Sequence, residues 1–264
     1  MNASASAPGL SGGLGELGGI VLRQLRLVGE WTMLWRATTV HVMHGRVSWS
    51  HLASQIESVG IGSLPLAALT VVFSSMVLAL YTTDQFIEFG FVDYVGRLIG
   101  SGVVRELGPV LTAIVVAARE GSAFAAELAT MKVTEQIDAL RALATDPVEY
   151  LVVPRYTATL IAMPLLTILA STAGIFGGYL IASAKGVPYE VYWGSVTRGV
   201  DLADFMGGLA KSLVFGAVIA IVSCHQGLRT GHGAEAVGRS TTASVVTCVV
   251  LMHVVDFMMA MVFE

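Results

Sequence analysis

The sequence predicts an all-α membrane protein, and three observations point there. Of the 264 residues 55% are hydrophobic and only 13% charged, where a soluble domain carries about 25% charged residues. Mean hydropathy is +0.74. Several apolar runs are long enough to cross a bilayer, which takes about 20 residues of helix, and the charges sit in clusters between those runs.

Residues 1–16 read as a flexible tail of Ala, Ser, Gly and Leu, without the basic start of a secretory signal. Residues 17–46 put Leu, Val, Trp and Met on one side of a helix. Arg23, Arg26, Glu30 and Arg36 interrupt it too often for a span. With Trp31 and Trp35 it fits a helix lying in the membrane interface; a soluble amphipathic helix packed on the rest is the alternative. The first span is 58–83, which holds no charge. An aromatic-rich connection with Asp84, Glu88 and Asp93 follows it. The second span, 98–118, carries Arg105 and Glu106. The third, 156–184, is interrupted by Pro164 and lined by Gly174, Gly177 and Gly178, small residues that let helices approach closely in lipid. The fourth is 205–225, with Lys211 near its start, and the fifth 240–263, with Asp256 near its end. No repeat or linker divides residues 17–264, which read as one domain.

Five spans put the two chain ends on opposite sides. Arg23, Arg26, Arg36, Arg46, Arg119, Lys132, Arg141, Arg155, Arg229 and Arg239 flank one side, against Arg97, Arg105, Lys185, Arg198 and Lys211 on the other. The excess of basic residues marks the cytoplasmic side. The N-terminus, 119–155 and 226–239 are thus expected inside and Glu264 outside an inner (plasma) membrane. A net charge of −4 without a basic patch gives no support to nucleic-acid binding. Cys224 and Cys248 lie in apolar runs and read as core. His41 and His44 share a helical face but lack an acidic or Cys partner nearby in sequence, so no metal site is expected.

Two segments carry chemistry. In 124–143, Glu127, Lys132, Glu135, Asp138 and Arg141 alternate with Leu128, Met131, Val133, Ile137 and Leu140, giving a helix with one charged and one apolar face. Glu135, Asp138 and Arg141 are spaced as helical neighbours, and Asp146-Pro147 closes the helix. Such a helix can dock a water-soluble partner or rest solvated on the membrane. Arg105-Glu106 is the other. Ionisable residues within a span usually face a cavity or each other, and Arg can hold a carboxylate or phosphate at two points; snorkelling at the interface is the alternative. Lys211 and Asp256 lie at similar depth, open to a structural ion pair or a transport role.

The run ELGPVLTAIVVAAREGSAFAAELATMKVTEQIDALRALATDPVEYLVVPR, residues 106–155, closely resembles the signature of MlaE/YrbE permeases, the membrane subunits of MCE-type lipid ABC transporters. GLRTGHGAEAVGRSTTASVV (227–246) is similar to that family's glycine-rich loop, and GSLPLAALTVVFSSMVLAL (62–80) to its first span. The likeness covers about 20–263 and leans toward the cyanobacterial and plastid branch. It implies a homodimer that carries a glycerophospholipid between the two copies. It also implies a cytoplasmic ABC ATPase, which binds ATP and magnesium, and an MCE-domain partner outside. By position, Leu78, Phe86, Phe89, Arg105, Glu106 and Leu107 would meet lipid, and Glu127, Lys132, Glu135, Gln136, Asp138 and Arg141 would couple to the ATPase. Glu120, often apolar in the family, and Ala129, usually Gly, depart from its pattern. The chain is expected to be non-catalytic and without a cofactor of its own: no Gly-Lys pair exists to form a P-loop. A secondary transporter or channel would need ionisable residues in more spans. An intramembrane enzyme would need a partner for His225 or His253.

Overall fold

The computed structural model describes residues 10–45 and 49–263, and all regular structure among them is helical. In chain order the elements are α1 (Leu10–Met43), α2 (His51–Glu88), α3 (Val92–Val133), α4 (Gln136–Ala142), α5 (Val148–Ala184), α6 (Tyr189–Gly199), α7 (Leu202–Leu228) and α8 (Ala234–Phe263). Helices α2, α3, α5, α7 and α8 are each long and apolar enough to span a bilayer. They run alternately up and down, so two ends can be distinguished. The basic end holds α4 and the 229–233 loop. The opposite end holds the 89–91 turn and α6.

Helix ends follow local chemistry. Gly90 and Gly186 take positive φ (75° and 94°), where a Cβ is penalised. They close α2 and α5 with bonds from Phe91 N to Phe86 O (2.8 Å) and from Val187 N to Ala182 O (3.1 Å), a glycine C-cap. Asp201 and Asp204 form a reciprocal cap on α7.

Several boundaries differ from the sequence reading. α1 begins at Leu10, so residues 10–16 of the expected tail are helical; residues 1–9 and Arg46 lie outside the described residues. The first span continues through Asp84 and Glu88, because Asp84 is neutralised by Lys185, which also donates to Leu80 O at 2.7 Å. The second span does not stop at 118 but runs 42 residues to Val133. The 124–143 helix is two pieces. Its first half is the end of α3, Glu135 then turns left-handed (φ 61°), and α4 follows, closed by Ala144 (φ 57°).

Close helix contacts bring the chemistry together. A Cβ on Gly174 would lie 2.7 Å from Val71 Cγ1, and one on Gly208 would lie 2.4 Å from Val104 O. α5 therefore sits against α2, and α7 against α3, at backbone range. One buried cluster holds Val59, Val116, Phe124, Met163, Phe215, Ile219 and Met252; a second holds Val71, Ile99, Val103 and Tyr192. Cys224 and Cys248 are free and buried, as expected.

α1 is fastened by one face. Trp31 donates to His225 Nδ1 (3.1 Å) and Trp35 to Tyr156 Oη (2.9 Å); Glu30 meets Arg229 (2.6 Å) and His225 (3.1 Å). Burial pushes the Glu30 carboxyl up, but hydrogen bonds with His225 and Arg26 and the charge of Arg229 outweigh it and hold the group below its ordinary value. The far face of α1 exposes Leu22, Leu25, Met33, Val40 and Met43, an apolar strip suited to lipid. α8 is fastened least: 11% of its apolar window is buried, against 28–50% in the other spans.

Candidate functional site

Five of the ionisable residues inside the bundle converge. Lys211 of α7 is 4% exposed and lies 2.6 Å from Glu106 Oε1 of α3 and 3.0 Å from Asp256 Oδ1 of α8. Arg105 Nε lies 3.5 Å from Asp204 Oδ1 at the start of α7. These groups border a cavity of about 330 Å³, lined by Arg105, Glu106, Asp204, Lys211, the pair Gly207 and Gly208, and the small residues Ala203 and Ala260. Two features build it. A π-helical turn at Val103–Leu107 interrupts the regular ladder of α3. Gly208 lets α7 approach that turn, which puts Lys211, one turn further on, opposite Glu106.

The cavity wall carries two cations and two carboxylates, with Asp256 as a third carboxylate beside Lys211, a polar lining in an apolar protein. Lys211 donates to Glu106 Oε1 and lies within ion-pair range of Asp256. Arg105, paired with Asp204, is 37% exposed on the cavity wall. Of the six residues expected at lipid, Arg105 and Glu106 line the cavity. Phe86 and Leu107 instead pack against the second buried cluster, Leu78 is partly buried on α2, and Phe89 is exposed just beyond it. Of the two readings left open for Lys211 and Asp256, the ion pair is present. Sequence reasoning missed Asp204, although its spacing from Asp201 is that of a cap pair.

The other charged region is at the basic end. Asp138 of α4 is held by Lys132 (3.2 Å) and Arg141 (3.0 Å), while Ile137 and Leu140 seat α4 on Leu128, Leu151 and Val152. Glu135, Gln136, Arg141 and Leu143 are exposed, Leu143 at 76%. Glu127 belongs elsewhere: it pairs with Arg155 at 2.6 Å, and Arg155 lies over the Phe124 ring. That pair ties α3 to α5. α4 thus presents a short charged ledge with one apolar tip, set between two left-handed hinges.

A five-span helical bundle with a charged cavity toward one end and a charged ledge at the other defines a multi-pass membrane protein of the transporter kind. The model of the family described as Permease MlaE matches residues 52–262, and the chain belongs to that family. It is 41% identical over 222 residues to a probable ABC transporter permease protein of Synechocystis, covering 84% of each chain. It is 41% identical over 210 residues to one of Rickettsia typhi, covering 79% of this chain and 81% of that one. It is 37% identical over 240 residues to the chloroplastic protein TRIGALACTOSYLDIACYLGLYCEROL 1 of Arabidopsis thaliana, covering 87% of this chain and 69% of the relative. An ABC permease implies an ATPase partner, and such subunits are generally non-catalytic.

Proposed function

We propose that this chain is the permease subunit of an ATP-driven glycerophospholipid transporter, with the cavity at Arg105, Glu106, Asp204 and Lys211 receiving the lipid head group. The carrying observation is that cavity, where part-exposed Arg105 sits beside Asp204 and a neutralised Lys211 in an otherwise apolar bundle. The chloroplastic relative is named after trigalactosyldiacylglycerol, a glycerolipid without phosphate, which supports a diacylglycerol-based substrate and leaves the head group to be inferred from the cavity.

The basic end faces the cytoplasm of the inner membrane, where the ATPase docks on the ledge of Glu135, Gln136, Asp138 and Arg141, with Lys132 bracing Asp138. ATP and magnesium belong to that ATPase, and the permease performs no covalent chemistry and holds no cofactor. The opposite end faces an MCE-domain protein that gives or takes the lipid. Two copies pair through α8, whose every fourth residue from Gly238 through Thr242, Val246, Val250, Val254 and Met258 to Val262 is exposed. Such a ridge, small at one end, suits close helix packing in lipid. Phe89 and Leu78 then lie beside the acyl chains.

Reconstitution tests this reading. The permease with its co-purifying ATPase is placed in liposomes containing labelled phospholipid, and transfer to an MCE-domain acceptor is followed. ATP-dependent transfer, abolished by a hydrolysis-dead ATPase, is expected. Movement driven by an ion gradient without ATP would instead make the chain a secondary transporter.

A further inference from the structure

Arg119 and Glu120 interrupt an apolar helix without ending it. Glu120 is 3% exposed. Arg119 Nη1 donates to Glu120 Oε1 (2.7 Å) and reaches across to α2, where it donates to Ser58 O and Ser63 Oγ, both at 3.1 Å. Ser58 Oγ in turn donates to Glu120 Oε2 at 3.2 Å. The space comes from Gly62, where a Cβ would lie 2.4 Å from Arg119 Nη1.

Both partners sit on irregular backbone. Arg119 and Glu120 belong to a π-helical turn at Ala117–Gly121, Ser58 to another at Glu57–Ile61. Such turns are rare and recur at functional sites. A buried ion pair is a poor source of stability, since well-packed apolar groups of the same size often do as well. What it supplies here is geometry: one guanidinium joins the same level of two spans, which are otherwise free to slide on apolar surfaces.

The position on α3 gives that geometry a use. Glu106 in the cavity is fourteen residues from Glu120 in one direction, and Thr134 at the start of the docking ledge is fourteen in the other. At 1.5 Å per residue each arm is about 21 Å. We infer that the Arg119–Glu120–Ser58 lock is the pivot of α3, the point against α2 about which displacement of the docking ledge is turned into movement at the charged cavity. This deepens the proposed function and rests on it. Arg119 and Glu120 are positioning residues: they touch neither the lipid cavity nor the docking ledge.

The test uses the complex of permease, ATPase and MCE-domain acceptor in liposomes, and reads lipid transferred per ATP hydrolysed. Glu120→Ala and Ser63→Ala each loosen the lock while leaving both ends of α3 unchanged. In Glu120→Ala the ATPase should stay bound and hydrolyse ATP within twofold of wild type, while lipid per ATP falls at least fivefold. Glu120→Gln, which still accepts from Arg119, should recover much of it. Ser63→Ala should give a smaller loss in the same direction. An unchanged ratio in both Glu120→Ala and Ser63→Ala overturns the pivot, as does a fall in ATP hydrolysis that matches the fall in transfer. Loss of the ATPase from the purified complex also overturns it, by making the lock part of docking. If wild-type complex shows no ATP-dependent transfer at all, it is the proposed function that fails.

Discussion

Replacing Lys211 with Met keeps the side chain's length and deletes the charge that holds the cavity's wall together. Lys211 Nζ bridges Glu106 Oε1 at 2.6 Å and Asp256 Oδ1 at 3.0 Å, with 4% of the side chain exposed. Without it the two carboxylate oxygens, at most about 5.6 Å apart, face each other with a repulsion of about 3 kcal/mol at an effective dielectric near 20. Glu106 is 43% exposed and Asp256 20%, so water screens part of that. The expected loss of about 2 kcal/mol falls below the ~3–5 kcal/mol typical of breaking a fully buried pair. Removing the opposing charge as well, in Lys211→Met/Asp256→Asn, should restore all but about 1 kcal/mol. The assay is reversible unfolding of the purified permease in mixed micelles, run as a double-mutant cycle with Asp256→Asn alone. A Lys211→Met protein within about 0.5 kcal/mol of wild type, the scatter of ordinary surface changes, would show that the cluster is solvated. A double variant no more stable than the single one would show that the cost is packing and not charge.

Other expectations follow from the same contacts. Arg105→Ala should reduce co-purifying anionic lipid at least tenfold, from a charge-assisted bond of about 1.5–3 kcal/mol; Arg105→Lys should rescue partly, lacking the two-point fork, and mass spectrometry of extracted lipid measures both. Glu135→Lys/Asp138→Lys should lose the ATPase in pull-down while the permease still inserts; undiminished co-purification would remove α4 from docking. In a background without Cys224 and Cys248, an impermeant thiol reagent on intact cells should label Glu264→Cys but not His232→Cys; the reverse pattern inverts the topology. Gly208→Ala places a Cβ about 2.4 Å from Val104 O, so unfolding should show about 1–3 kcal/mol of destabilisation from overpacking.

The spans were readable because lipid demands long uninterrupted apolar stretches, and 58–83 or 156–184 answer to nothing else. The reading failed where charge was taken for water. Arg119-Glu120 looked like an exit from the membrane, yet both residues bond to Ser58, Ser63 and each other, and α3 runs on for more than three further turns to Val133. No Gly or Pro at Glu135 announces its left-handed turn, and Thr134 N–H still bonds Thr130 O at 3.0 Å, so the helix is regular up to the break. At the site, Arg105 and Glu106 were legible because ions are conspicuous in apolar sequence. Their partners Asp204 and Lys211 lie about 100 residues away along the chain, and local spacing says nothing about distances of that kind.

The weak anchorage of α8 has a consequence for the amount of membrane around the protein. Lipid tails are as apolar as the valine ridge, so no hydrophobic gain draws two such surfaces together; close packing alone must do it. Association of that sort obeys mass action in two dimensions. Adding lipid at constant protein should therefore separate copies that detergent or crowding holds together, without altering a single residue. Activity per molecule would then depend on how densely the membrane is populated, and a cell could tune it simply by making more bilayer.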